Sequence, residues 1–274
     1  MKTVFFGASA YVLPIAEVLN KNFELELVVT TEKESSEPVI KFCIKNKIPY
    51  LSVSNKNELL TIKGQLGIVA DFGVIIPKTV LDSFTYGILN IHPSLLPKYR
   101  GPTPVQTALL NGDKKTGVTI IKLDELMDHG PILTSEKVGI KENDTSETLL
   151  NDLFKKGAEI LPTTISNYQA KQLKASEQEH DKATSTKMLK REDGFIDLKK
   201  TKDFEKLQNM IRAFYPWPGV WTKAVLSENG DEKIIKFLPK KLIQVEGKKE
   251  VSYKDFLNGY PKANSHLRLF LEKN

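Results

Sequence analysis

The amino-terminal third of the chain alternates short apolar runs with segments of helical period, and this alternation restricts the fold more than any other feature. Thr3-Val4-Phe5-Phe6-Gly7 reads as a buried strand, and Ala8 to Asn20 as an amphipathic helix entered at Ser9, a residue suited to an N-cap. Leu25 to Thr30 gives a second strand and Glu37 to Lys47 a second helix, with Val39, Ile40, Cys43 and Ile44 along one side. Leu66 to Ala70 is a further strand, Pro77 to Phe84 a short helix with proline in its first turn, and Gly87 to His92 leads into the next strand. Helices between strands serve as crossovers, and crossovers produce parallel sheet. The expected class is therefore α/β, a doubly wound parallel sheet.

The last of these strands ends in polar residues. Side chains alternate along a strand, so Asn90 and His92 share one face while Ile91 takes the other. Asparagine is uncommon in strands, and open α/β sheets bind ligands beyond the carboxyl ends of their strands. An Asn-x-His there marks a candidate site, closed off by Pro93. Downstream, Pro104 to Leu110 reads as a short helix and Gly117 to Leu123 as a strand. The loop Asp124 to Pro131 carries three acids and a histidine, Ile132 to Val138 resumes strand character, and Thr145 to Tyr168 is helical with Pro162 limiting or kinking it. Taken together, Asn90 could offer an N–H to a developing oxyanion and His92 relay a proton near neutral pH. Asp128 could fix the histidine tautomer and favour the imidazolium. Taken singly, each residue has a structural explanation that is the stronger one.

Other chemistries are excluded by what is missing. Gly7-Ala8-Ser9-Ala10-Tyr11-Val12 lacks the G-x-G-x-x-G that brings backbone to a pyrophosphate, and there is no Walker pattern, zinc-spaced Cys/His cluster or G-x-S-x-G. Neither a metal nor a nucleophilic serine is expected. The single Cys43 excludes an internal disulfide framework and suits the cytoplasm. The apolar run near the start is too short for a leader, and no stretch approaches the roughly 20 apolar residues of a membrane span.

Charge separates the two ends of the chain. From Lys171 to Asn274 there are 22 Lys+Arg against 15 Asp+Glu, leaving 18 against 19 before it, so the whole excess of +6 is carried by the carboxyl-terminal part. A polyanionic partner competes with simple solvation as the reason. Lys171 to Lys190 is polar enough to read as a linker. Beyond it, Phe195 to Leu198, Ala224 to Leu226, Ile234 to Phe237 and Lys241 to Val245 suggest a small β-rich, barrel-like domain with a helix from Thr201 to Phe214. The expected division is 1–170, a linker at 171–190, and 191–274.

Val69 to Pro77, Asn90 to Gly101, Gly117 to Ile120 and Met127 to Pro131 together resemble the folate-dependent formyltransferases. Ile211 to Gly219, Gln244 to Ser252 and Asp255 to Tyr260 resemble the carboxyl-terminal domain of the branch that acts on initiator Met-tRNA. The resemblance implies a Rossmann-like catalytic domain and an OB-like second domain, abbreviated between Ala224 and Gln244. It implies transfer of formyl from 10-formyltetrahydrofolate to an amine, with Asn90, His92 and Asp128 as the catalytic residues. Phe72, Gly73, Val74, Ile75, Ser94, Leu95, Leu96 and Pro97 are then expected to line the folate cleft.

The tRNA-acting branch usually carries a longer basic loop where this chain has the short, acidic Thr31 to Glu37. Phosphate contacts are therefore expected from Lys182, Lys187, Lys190, Arg191, Lys240, Lys241, Lys248 and Lys249, and a cut near Ala170 is expected to remove tRNA affinity while sparing folate binding. A monomer is expected. Sugar-nucleotide formyltransferases share the Asn-x-His signature and are the alternative.

Overall fold

Strand β1 (Lys2–Gly7) is buried at every residue after the first, the condition of a central strand in a sheet covered on both faces. The computed structural model describes residues 1–200, 203–227, 230, 232–263 and 265–273. After β1 come α1 (Leu13–Asn22), β2 (Glu24–Thr31), α2 (Glu37–Asn46), β3 (Tyr50–Val53), β4 (Leu66–Ala70), α3 (Lys78–Leu81), β5 (Ile88–His92) and α4 (Pro104–Leu110). β6 (Lys115–Lys122), β7 (Ile132–Gly139) and α5 (Ser146–Gln169) follow. The remainder holds α6 (Phe204–Ala213), β8 (Val220–Val225), β9 (Glu232–Leu238), β10 (Leu242–Val245), β11 (Glu250–Ser252), α7 (Tyr253–Gly259) and α8 (Ser265–Lys273).

The larger sheet runs β3-β2-β1-β4-β5-β6-β7. From β3 to β5 all pairings are parallel, while β6 and β7 run antiparallel to their neighbours. The sheet is thus mixed rather than wholly parallel. Leu123 to Pro131 contains no crossover helix, so β7 can only return beside β6 as a hairpin. Side-chain alternation sorts the two cores. Phe5, Leu89 and Ile91 join Ile15, Leu19, Phe154 and Leu161 in one buried cluster, and Val4, Phe6 and Ile88 join Leu59, Phe72 and Phe84 in the other. Asn90 and His92 therefore belong to the Ile88 face of β5.

Local expectations hold at element level and shift at ends. Ser9 makes no capping bond, and the chain enters α1 through a short 3-10 turn at Ala10–Val12. Pro162 lies inside α5 without ending it, the buried Leu153, Phe154, Leu161 and Ile165 anchoring both halves. Phe195 makes only an isolated bridge to Trp221. The helix expected from Thr201 starts at Phe204, capped by Asp203, whose Oδ1 accepts from the Lys206 N–H at 2.9 Å; Thr201 and Lys202 lie outside the described residues. α7 and α8 have no counterpart among the elements expected from the sequence.

The chain divides into two units. The first comprises Met1–Pro104, Lys115–Gly139 and Leu150–Thr186, and the second Val105–Lys114, Ile140–Leu149 and Lys187–Asn274. The segment expected to be a linker thus belongs to the first unit as far as Thr186. In the second unit the small sheet runs β11-β10-β9-β8, antiparallel throughout, with β8 and β11 as its outer strands. Among the described residues it is an open sheet rather than a closed barrel, and Phe270 of α8 packs against Phe237 (5.0 Å) and Phe204 (5.8 Å) to form its core. This unit is itself discontinuous: Arg212 Nη1 donates to the Asp144 carbonyl at 3.2 Å, and Ser146 Oγ to the Tyr215 carbonyl at 2.6 Å. Among the described residues no helix is long and apolar enough to cross a membrane.

Candidate active site

β5 delivers Asn90 and His92 to its carboxyl end, and the β6–β7 loop folds back to set Asp128 against them; all three side chains are buried. Asn90 Nδ2 donates to Asp128 Oδ1 at 2.9 Å, and the Gly101 N–H donates to Asp128 Oδ2 at 2.8 Å. His92 Nδ1 lies 3.5 Å from the same Oδ2. Its Nε2 lies 2.9 Å from the Tyr99 carbonyl, which can only accept, so the ring proton sits on Nε2. The tautomer is therefore set by a backbone carbonyl and not by Asp128, contrary to the expectation from residue types. With Nε2 so fixed, Nδ1 carries a proton only in the imidazolium.

The supporting loops are held by groups that carry no motif. Thr119 of β6 stands opposite His92; its Oγ1 donates to the Ser94 carbonyl at 2.7 Å and accepts from the Leu96 N–H at 3.2 Å. These bonds turn the chain off the sheet directly after the histidine. Gly130 crosses β6 so closely that a Cβ there would sit 1.9 Å from the Lys122 carbonyl oxygen, which is how the loop brings Asp128 back over β5. Gly101 has φ +106°, and its Cβ would meet the Thr186 carbonyl oxygen at 2.9 Å. Gly101→Ala is expected to destabilise the protein by more than about 1 kcal/mol, since Ala is strained where φ is positive, and to misplace the N–H that holds Asp128. Thermal unfolding checks the first effect and turnover the second.

The polar segment after α5 builds part of this site. Ser176 and Ile132 exchange backbone bonds of 2.8 and 2.9 Å, the Arg100 N–H donates to the Thr184 carbonyl at 2.8 Å, and the Thr186 N–H donates to the Arg100 carbonyl at 2.7 Å. Tyr99 N–H donates to Thr184 Oγ1 at 2.8 Å. It is a strap across the two loops, stabilised by hydrogen bonds rather than by apolar burial, which is why composition reads it as a linker. His129 is occupied elsewhere: its Nδ1 is 2.7 Å from Asp124 Oδ2, and its ring stacks on His180 with centroids 4.0 Å apart.

The residues expected to line a folate cleft fall into two groups. Phe72 is in the core, edge-on to Phe6 at 5.5 Å, and the buried Ser94 donates its hydroxyl to the Lys98 carbonyl at 2.6 Å. Each side chain completes the structure of its own loop, and Leu96 is likewise buried. Gly73 is open, a Cβ there meeting nothing within 4 Å; Val74, Leu95 and Pro97 are half-buried. Ile75 is 70% exposed, as are Leu126 (59%) and Met127 (60%) on the Asp128 loop, which Lys78 ties to α3 through a 2.7 Å ion pair with Glu125. Leu126 and Met127 were not anticipated; their signal was two adjacent apolar residues inside an acidic loop.

All the anticipated phosphate-binding residues are exposed, and they are divided between the two units. Lys182 is in the first unit, ion-paired with Glu179. The others belong to the second unit, where Lys240 and Lys241 stand at the β9 end of β10 and Lys248 and Lys249 at the β11 end. Arg191 lies over the Trp221 ring at 5.6 Å, and Phe195 meets that ring edge-on at 4.9 Å. Cross-strand register places Trp221, Lys236 and Gln244 in one row on the exposed face of the small sheet. Lys236 was missed because its spacing reads only as strand alternation. Among the described residues no group of three or more His, Cys, Asp or Glu could hold a metal ion.

Residues 26–165 match the family described as formyl transferase, and residues 188–242 match the formyl transferase carboxyl-terminal domain. A methionyl-tRNA formyltransferase of Methylacidiphilum infernorum is 36% identical over 252 residues, 86% of this chain and 78% of the relative. That of a Hydrogenobaculum species is 38% identical over 232 residues, 79% of this chain and 75% of the relative. Among solved structures, a 4-N formyltransferase from Francisella tularensis superposes with a TM-score of 0.68 at 19% identity, covering 88% of this chain and 98% of that one. At that identity the likeness is one of fold.

Proposed function

Because the chain belongs to the formyl transferase family, we propose that it carries a formyl group from 10-formyltetrahydrofolate to the amino group of initiator methionyl-tRNA. The observation that carries the chemistry is the buried cluster in which Asn90, the Gly101 N–H and His92 converge on one carboxylate, Asp128. The acceptor rests on relatives that act on methionyl-tRNA and match most of this chain, the carboxyl-terminal domain included. Such a substrate places the reaction in the cytoplasm.

The bound donor supplies an electrophilic formyl carbon; everything else falls to the chain. The open Gly73 and the exposed apolar Ile75, Leu126 and Met127 fit a flat, partly apolar pterin. Asn90 Nδ2 carries two hydrogens and gives one to Asp128, keeping the other for the oxygen on which negative charge develops. His92, protonated at Nδ1, adds a charged donor and can return its proton to the leaving nitrogen. Asp128 holds that imidazolium and receives, directly or through water, the proton that the attacking amine must lose. No covalent enzyme adduct is required.

For the tRNA, the exposed sheet face of the second unit joins an aromatic platform of Trp221 and Phe195 to the cations Arg191 and Lys236, a combination suited to backbone charge and stacked bases. Lys187, Lys190, Lys240, Lys241, Lys248 and Lys249 extend the positive charge beyond it. A truncation at Ala170 does not test this, since it removes the strap of the first unit together with most of the second. Point variants do. Arg191→Ala and Lys236→Ala are each expected to weaken Met-tRNA binding and to reduce the slope of log affinity against log salt by about 1. Folate affinity should stay unchanged. Unchanged slopes for both would remove this face from the tRNA contact.

A further inference from the structure

Gln178 is only 4% exposed, yet its amide is fully occupied. Nε2 donates to the Asp128 carbonyl at 2.9 Å and to the Gly130 carbonyl at 2.8 Å. Oε1 accepts from Arg100 Nε at 3.1 Å and from Arg100 Nη2 at 2.7 Å. Two donors and two acceptor positions are all that a glutamine amide has, and each is used. The side chain thereby joins the two loops that flank the His92–Asp128 pair. On one side Arg100 lies between Tyr99, whose carbonyl fixes the His92 ring, and Gly101, whose N–H holds Asp128 Oδ2. On the other lies Asp128 itself, at φ +50°, a left-handed conformation that a non-glycine residue keeps only when its surroundings hold it. Arg100 is held from a second direction as well, its Nη2 donating to His180 Nδ1 at 2.8 Å.

We propose that Gln178 is a positioning residue for formyl transfer. By clamping the Asp128 and Gly130 carbonyls to Arg100, it sets the separation of the two loops and so the aim of the Asp128 carboxylate. The residue type follows from the task. Glutamate has the reach but, ionised, only accepts, and would oppose two carbonyl oxygens; asparagine is one methylene too short. The inference rests on the formyl-transfer reading for its kinetic consequence, but the effect on Asp128 can be observed without substrate.

The test uses the full chain with Gln178→Glu and with the uncharged, similarly sized Gln178→Met. Both should lose about 10²-fold in kcat, the loss that a misplacement of about 1 Å can cause, with the KM for 10-formyltetrahydrofolate nearly unchanged. The deficit of Gln178→Glu relative to the parent should narrow as pH falls, because a protonated carboxyl again has an O–H to donate, while that of Gln178→Met should not. A role confined to stability would lower the melting temperature of both variants without that pH-dependent narrowing. Crystal structures of the variants should show Asp128 out of the left-handed region or its carboxylate off the Gly101 N–H. Turnover of both variants within twofold of the parent, or an Asp128 loop unmoved in both, would overturn the proposal. A parent that fails to formylate Met-tRNA would instead overturn the functional reading, and the variant structures would still decide whether Gln178 positions Asp128.

Discussion

His92→Ala is expected to lower kcat by about 10²-fold to 10⁴-fold, the range for a positioned acid–base group, while His129→Ala should stay within a few-fold of the parent. The difference follows from the partners. His92 is buried, with Nε2 on the Tyr99 carbonyl and Nδ1 toward Asp128, so its loss removes the one ring nitrogen that can carry a proton to the reaction. His129 pairs with Asp124 and stacks on His180, outside the Asp128 cluster. Asp128→Asn should resemble His92→Ala. An amide in place of that carboxylate must turn an NH2 toward either Asn90 Nδ2 or the Gly101 N–H, donor against donor, and it removes the negative charge beside His92. The double variant should lose little more than either single one, because groups acting as a unit are not additive. Steady-state kinetics of the three variants and of His129→Ala decide it; a ranking with His129 above His92 would move the site to the stacked pair.

Asn90→Ala is the second large effect, a loss of about 10²-fold to 10³-fold in turnover, as for removal of one oxyanion donor. Here the structure adds a reason absent from the residue type. Asn90 also fills one oxygen of a buried carboxylate, and an acceptor left unpaired in the interior costs roughly 1–3 kcal/mol. The variant should therefore melt earlier as well as turn over more slowly. Asn90→Asp keeps the size but loses both N–H donors and sets a carboxylate against Asp128, so it should be at least as impaired as Asn90→Ala. Turnover within twofold of the parent in Asn90→Ala would take the residue out of the mechanism.

The parts of this site that were legible in the sequence are those with local periodicity or a contiguous motif. Alternation along β5 put Asn90 and His92 on one face, and the apolar runs before it fixed the parallel strands. The antiparallel β7 was missed because a strand-like run does not announce its direction; the missing helix between Leu123 and Pro131 was the available signal. The groups that hold the site together left no such trace. The Tyr99 carbonyl and Gly101 N–H are backbone atoms, and Thr119 and Gln178 act from other elements through a single hydrogen-bonding group each. The strap was misread because it is stabilised by backbone bonds to loops distant in sequence. Phe72 and Ser94 illustrate the converse: a motif residue near a site can be there to build its loop. For α7 a signal existed, as Ser252 accepts from the Asp255 N–H at 3.1 Å, an N-cap spacing present in Ser252-Tyr253-Lys254-Asp255.

Formyl transfer to the amine of a charged initiator tRNA can be measured by offering 10-formyltetrahydrofolate with a labelled formyl group to initiator Met-tRNA, elongator Met-tRNA and an amino-sugar nucleotide in parallel. Label is expected in formyl-methionine on the initiator tRNA, reduced by orders of magnitude in His92→Ala. Label on the amino sugar with none on either tRNA would contradict it.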